Sequence, residues 1–245
     1  MTAASQARQT AIGLGLAAAI AAGWVAIHVA GIFFWTWTPV NAVCAVLLVA
    51  AQAWLSTGLF IVAHDAMHGS LAPGRPRLNR LAGTVALYMY AGLSYGGVEP
   101  KHHLHHRHSG TAADPDFSAD HPRSAPRWFI AFFRAYYTHA QIGRITVVAI
   151  GYMLLGASLA NIVVFWAVPA LLALTQLFLF GTYLPHRHDD APFADRHRAR
   201  STPVGPFVSL LTCYHFGGYH HEHHLSPGTP WWALPGARKA LGSAR

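Results

Sequence analysis

Long apolar runs alternate with short polar stretches along the chain, and histidines gather where the runs end. The first run extends from Ala11 to about Trp35 and the second from Val40 to Ala63. Each is long enough to span the hydrocarbon of a bilayer. Only the uncharged turn Thr36 to Asn41, with Pro39, separates them, so the pair predicts a helical hairpin. Met1 to Thr10 carry a single charge, Arg8, and read as a short tail. The first run is longer than the apolar core of a signal peptide and a second run follows at once, so it reads as an anchor. Gly69 to Arg80 is polar and basic, with Pro73, Gly74 and Pro76 marking a loop. Leu81 to Val98 is apolar again, but rich in glycine and tyrosine, as suits a segment that lies in the interface or dips in and returns. Trp128 to Gly143 mixes aromatics with Arg134 and His139 and predicts an interfacial amphipathic helix. Ile145 to about Ala160 and Ile162 to Tyr183 predict a second hairpin with Asn161 at its turn. The expected fold is all-α and integral to the membrane. It has four transmembrane helices in two hairpins, interfacial helices and a histidine-rich cap, in one domain over residues 1–245.

The histidines fall in three boxes. His64 and His68 stand at i, i+4 after the second run; His102, His105 and His106 stand at i, i+3, i+4; and His220, His223 and His224 repeat that spacing. On a helix each set shares a face, and imidazoles one turn apart can grip one ion. The three boxes together read as one polynuclear metal site. They must then lie on the same side of the membrane, which requires that Leu81 to Val98 does not cross.

Charge supports that topology. The chain is 53% hydrophobic and only 11% charged, well below soluble domains. With two hairpins, the far side holds only the turns near Thr36 and Asn161, and all 17 basic and nine acidic residues lie on the box side. The positive-inside rule makes that side, with both termini, cytoplasmic. It also accounts for the net charge of +8 without nucleic acid as a partner. Cys44 and Cys213 lie at different depths in this topology and predict no disulfide.

Two separated cysteines exclude thiolate zinc and iron–sulfur clusters. Glutamate occurs only as Glu99 and Glu222, too few for a carboxylate-bridged centre of the soluble type. An imidazole-rich site for two ions remains, and imidazole suits iron, copper, nickel and zinc alike. Acids among the imidazoles (Asp65, Asp114, Asp116 and Glu222) are candidates to hold the histidines' second nitrogen. His103 and His221 lie off the shared faces, His108, His188 and His215 are further candidates, and His28, His121, His139 and His197 read as structural. A metal transporter would need ionisable groups within the spans, which offer only His28, Gln52 and Gln176.

The spacings HxxxH, HxxHH and HxxHH around two hairpins resemble the integral-membrane fatty acid desaturase and hydroxylase superfamily. More narrowly, His64 to Gly69, His102 to His108 followed by Asp114-Pro115-Asp116-Phe117, Leu184-Pro185-His186-Arg187, and Cys213-Tyr214-His215-Phe216 running into His220 to Leu225 resemble the bacterial carotenoid ketolases. The resemblance implies two iron ions, dioxygen as co-substrate and His186 as a ninth ligand. It implies oxidation of the C4 methylene of a β-ionone ring to a ketone, by two hydroxylations and loss of water. β-Carotene would give echinenone and canthaxanthin, and the choice between it and zeaxanthin, which would give astaxanthin, stays open. A fatty acyl desaturase or hydroxylase on the same scaffold is the alternative. The chain carries no nucleotide-binding glycine fingerprint, so electrons are expected from a reduced ferredoxin or similar donor. It would dock on Arg75, Arg77, Arg80, Arg196, Arg198 and Arg200. The carotenoid is expected from the bilayer of a bacterial inner membrane, through a tunnel walled by Leu81–Val98, Trp128–Tyr137 and Pro206–Phe216. Tyr88, Tyr95, Gly92, Gly96 and Gly97 are expected to line it, with Tyr90, Trp231 and Trp232 as further candidates.

Overall fold

A computed structural model describes residues 2–242; Met1 and residues 243–245, the chain ends expected on the cytoplasmic side, lie outside the described residues. Helix α1 (Ala3–Phe33) and helix α2 (Pro39–Met67) form the first hairpin. The stretch expected as a tail is the first three turns of α1. Thr2 caps it by accepting from the Ser5 N–H, and Ala3, Ala4, Gln6 and Arg8 are good helix formers. Gln9 is buried there and donates to the Ser70 carbonyl just beyond α2. The start of α1 therefore sits beside the end of α2.

Leu81–Val98 is not one piece. Helix α3 (Pro76–Ala91) begins inside the stretch expected to be loop, because Pro76 occupies the first turn, where its missing N–H is harmless. It ends at Gly92, whose φ of 62° needs no Cβ. Helix α4 (Tyr95–His108) then turns back and carries the second box. The bend is tight: a Cβ on Gly83 would stand 2.2 Å from the Tyr95 ring.

Helix α5 (Ala125–Tyr136) and helix α6 (His139–Leu154) divide at Thr138, which caps α6 through the Gln141 N–H. The expected interfacial helix thus loses its last turn to the apolar helix that follows. Helix α7 (Leu159–His186) runs from the second turn back toward the boxes. Three helices, α1, α2 and α7, are long and apolar enough to cross a membrane. Helix α6 has 16 residues, none of them buried. Helix α8 (Pro206–Cys213), helix α9 (His220–Leu225) and helix α10 (Leu234–Gly242) complete the chain, and no strand occurs among the described residues.

Helix α7 widens into π turns at Val163–Ala167 and Leu177–Tyr183. Each ends two residues before a proline, Pro169 and Pro185. Proline cannot donate to the preceding turn and crowds its carbonyl, and a π turn makes room for it. The second such turn immediately precedes His186.

At the far end, Asn161 joins the two hairpin turns. Its amide donates to the carbonyls of Ile32 (3.3 Å) and Trp35 (3.1 Å), and its oxygen accepts from Trp37 Nε1 (2.8 Å). Asn161→Ala removes all three bonds, leaves the buried Ile32 carbonyl without this partner, and is expected to cost about 2 kcal/mol. Thermal unfolding in detergent should show the loss; a transition unchanged from wild type would mean that the turns do not depend on this joint.

Candidate metal centre

The end of α2, the last turns of α4, the end of α7 and the short helix α9 converge at one end of the bundle. They bring together nine histidines in two groups: His64, His68, His102, His106 and His223 in one, and His105, His186, His220 and His224 in the other. Within each group one nitrogen per ring lies within 4.8 Å of all the others. The assignment follows helical geometry. The i, i+4 pairs His64/His68, His102/His106 and His220/His224 each serve one group. The i+3 residue of the second and third boxes, His105 and His223, crosses to the other group, because adjacent helical residues point about 100° apart.

Nε2 atoms are 2.7 Å apart for His68 and His102, 3.0 Å for His106 and His223, 2.8 Å for His186 and His220, and 3.0 Å for His220 and His224. Two nitrogens bound to one ion at about 2.1 Å and at right angles would stand about 3 Å apart. Each of these pairs lies within a single group, so the donor set fits two ions. Burial and neighbouring imidazoles hold His102, His106, His220, His223 and His224 far on the neutral side, and neutral imidazole is the ligating form.

Two of the nine are oriented by protein partners. His105 Nδ1 donates to Asp114 (3.0 Å), which also accepts from the N–H groups of Gly110 and Asp116. Burial works against a charged His105, but the Asp114 carboxylate more than offsets it and raises the pKa. His186 Nδ1 donates to the Arg198 carbonyl (2.8 Å) and lies 3.1 Å from the Ser109 hydroxyl. The Nδ1 atoms of His64, His220, His223 and His224 are buried without a protein partner. Packing and the bond made by the other nitrogen set those rings.

The four acids diverge. Asp116 lies 3.8 Å from His105 and accepts from the Tyr136 hydroxyl; burial, with Asp114 nearby, pushes its carboxyl up to about 6. Asp65 lies 3.7 Å from His64 Nδ1 and accepts from the Trp231 N–H. Glu222 serves Arg238 and Ser201 instead of an imidazole, and so braces α9 against α10. His221 pairs with Asp195, His215 stacks on Trp231, and His108 is exposed. His103 packs at the edge of His68, while the His188 ring lies tilted 34° against Phe117. His28 lies inside the first hairpin against Tyr152 (3.0 Å). His197, expected to be remote, has its ring 6.0 Å from that of His224.

A cavity of about 460 Å³ opens from the imidazoles. His64, His102, His105, His106, His220 and His223 line it beside the metal groups, and mostly apolar side chains, with Asp116, Gln141, Thr182 and three tyrosines among them, line the rest. A stripe of α7, including Ile162, Trp166, Ala170, Leu174, Leu177 and Gly181, forms its long wall. Twenty residues of helix make that wall about 30 Å long. Partly exposed Phe133, Tyr137, Ile142 and Leu171 mark a lateral opening between α5–α6 and α7.

Parts of the three expected wall segments are present, but of the eight residues named for the tunnel only Tyr90 is among those lining this cavity. Tyr90 lines it, and Tyr88, two residues away and so about 200° round the helix, is exposed beside Arg144. Tyr95 is buried against Gly83. Gly92 caps α3 and accepts from Arg144, while Gly96 and Gly97 face Arg80 and Ser94. The α7 stripe escaped the sequence reading, although its small and apolar residues recur at helical spacing. So did the turn that aims the third box. Tyr214 and His215 both have positive φ, 47° and 74°. Tyr214 is held in that strained state by stacking on Trp54 with ring centroids 4.5 Å apart.

The sequence matches the fatty acid desaturase family over residues 36–145 and 134–244. It is 49% identical to a β-carotene ketolase of Paracoccus sp. (strain PC1), with 96% of each chain covered. It is 46% identical to a β-carotene ketolase of Paracoccus sp. (strain N81106 / MBIC 01143), over 94% of this chain and 93% of the other. A zeaxanthin 4-ketolase of Chlamydomonas reinhardtii is 36% identical, over 95% of this chain and 54% of its own length. The chain therefore belongs to the fatty acid desaturase family, within its β-carotene ketolases.

Proposed function

We propose that the protein is a membrane-bound carotenoid 4-ketolase, one domain that converts the C4 methylene of a β-ionone ring into a ketone. The observation that carries this reading is the cavity along α7: a mostly apolar space, flanked by exposed Phe133, Ile142 and Leu171, that ends on two groups of imidazoles. It suits a rod-shaped substrate with no polar group, and the names of the Paracoccus relatives agree. A fatty acyl chain is the second reading, since an apolar channel suits it too.

Two iron ions are proposed. The first would be held by His64, His68, His102, His106 and His223 and the second by His105, His186, His220 and His224. When bound, they supply activation of dioxygen for insertion into a C–H bond. Asp114 keeps the proton of His105 on Nδ1, so the other nitrogen faces the site. Asp116 and Tyr136 close the wall beside it, and the apolar lining keeps water from the ring. In the balance, the first hydroxylation converts CH2, dioxygen, two electrons and two protons to CHOH and water. The second, at the same carbon, gives a geminal diol and a second water. The diol loses a third water to leave the ketone. Four electrons are needed per ketone, and we assign them to a ferredoxin-like donor. Exposed Arg75, Arg77, Arg80 and Arg196 offer it a basic face, whereas Arg198 and Arg200 are engaged with Gly110 and Asp189.

We further propose that α6 is a fourth membrane helix. Its apolar side chains, such as Val147, Ile150 and Leu154, are exposed as lipid-facing residues would be, and its length is about 24 Å. The boxes then face the cytoplasm, where the positive residues gather.

In a carotene-producing host, expression should convert β-carotene to red-shifted ketones; modified fatty acyl chains with untouched carotene would favour the second reading. His105→Ala should abolish ketone formation, by at least about a hundredfold, while the protein still inserts. His121→Ala, at a site remote from both groups, should retain activity, and equal losses in both would contradict the assignment.

Purified protein should carry two metal ions per chain. His68→Ala and His224→Ala should each lower that number toward one, and their double variant should approach none. A wild-type stoichiometry of one, read by elemental analysis, would refute the two-group site.

A further inference from the structure

Three threonines are buried among the described residues: Thr10, Thr57 and Thr182. Thr10 and Thr57 do what a threonine in a helix normally does and donate to the carbonyl four residues earlier, at 2.9 and 3.2 Å. Exposed Thr84, Thr175 and Thr212 do the same. The Thr182 hydroxyl makes no hydrogen bond among the described residues. It lies in the π turn Leu177–Tyr183, where the carbonyls are out of step with the four-residue register, and its side chain lines the cavity. It stands one helical turn before His186, on the same face. A hydroxyl placed in an apolar wall with no protein partner gains its hydrogen bond from what enters the cavity.

β-Carotene offers nothing to bond. The alcohol left by the first hydroxylation does, and it must stay at the site if the same carbon is to be oxidised again. We propose that Thr182 is a positioning residue that hydrogen-bonds the ring alcohol and retains it for the second oxidation. This rests on the ketolase reading above. Among the other hydroxyls of the wall, Tyr136 is bonded to Asp116 and Tyr137 lies 3.0 Å from His139 Nδ1. Tyr90, on α3, also has no partner and is the competing candidate.

The test is the ratio of ring alcohol to ketone formed from β-carotene by membranes carrying wild type, Thr182→Val, Thr182→Ser or Tyr90→Phe. A ratio within one sample does not depend on the amount of enzyme. Valine keeps the shape and removes the hydroxyl. Thr182→Val should raise the ratio about tenfold, the factor that one hydrogen bond is worth, and Thr182→Ser should return it to within about twofold of wild type. Supplied directly with the ring alcohol, Thr182→Val should show a raised KM with kcat changed less. An unchanged ratio in Thr182→Val overturns the proposal. So does a ratio as high in Thr182→Ser, which would mean shape, or accumulation in Tyr90→Phe alone. Loss of both products in Thr182→Val also overturns it, because a group that holds only the alcohol is not needed to make it. If wild-type membranes with two metals per chain form neither alcohol nor ketone, the ketolase reading itself has failed, and that outcome is distinguishable from the others.

Discussion

The architecture depends on a demand made by imidazole. Nine of these rings crowd into a buried space at one end of the bundle, and four keep a second nitrogen without any protein partner. Neutral imidazoles pressed together gain little from each other, and burial keeps them from accepting protons. A cation shared among their lone pairs resolves the conflict. The demand then dictates the scaffold: four segments distant in sequence must end at one depth, each with the correct helical face inward. Asn161, far from the imidazoles, serves this end by fixing where both hairpins turn, and the π turns of α7 serve it by adjusting the azimuth of His186.

The three boxes could be read from the sequence because ligand spacing and helical period are the same signal. His64/His68, His102/His106 and His220/His224 repeat every four residues, and that pattern survives any uncertainty about loops. The division of the box histidines between two groups was not legible, since it depends on how α4 and α9 face one another. Helix limits failed where capping overrode hydropathy: Thr2 extends α1, Pro76 starts α3 early, and Thr138 splits an apparently continuous amphipathic stretch. Parts of the three expected segments line the cavity, but of the individual residues expected there only Tyr90 does. Tyr88 and Tyr90 look equivalent in a list of aromatics, but two positions along a helix is more than half a turn. Thr182 gave no signal at all, because its unmet hydrogen bond comes from a π turn that no local pattern announces.

Stability and chemistry draw on different parts of the molecule. Close backbone approaches, such as Gly31 against Phe165 and Gly58 against Tyr214, where an added Cβ would fall within 2.4 Å of a ring or its hydroxyl, tie α1 to α7 and α2 to the turn after α8 in a rigid frame. The strained turn at Tyr214 and His215 is held by that frame through Trp54. Rigidity here is functional, because ligand nitrogens must meet an ion within a few tenths of an ångström.

The π turn Leu177–Tyr183 also says something about the register of the chain. Such a turn is what an α-helix becomes when it absorbs an extra residue. Lengthen or shorten this stretch by one, and everything beyond it rotates by about 100°. His186 would swing out of its group, and the loop leading to the third box would leave from another side of the helix. Most apolar membrane helices tolerate exchange of one aliphatic residue for another, and this one should as well. What it cannot accept is a change in count: between Leu177 and His186 the number of residues matters as much as the side chains of Thr182 and His186 themselves.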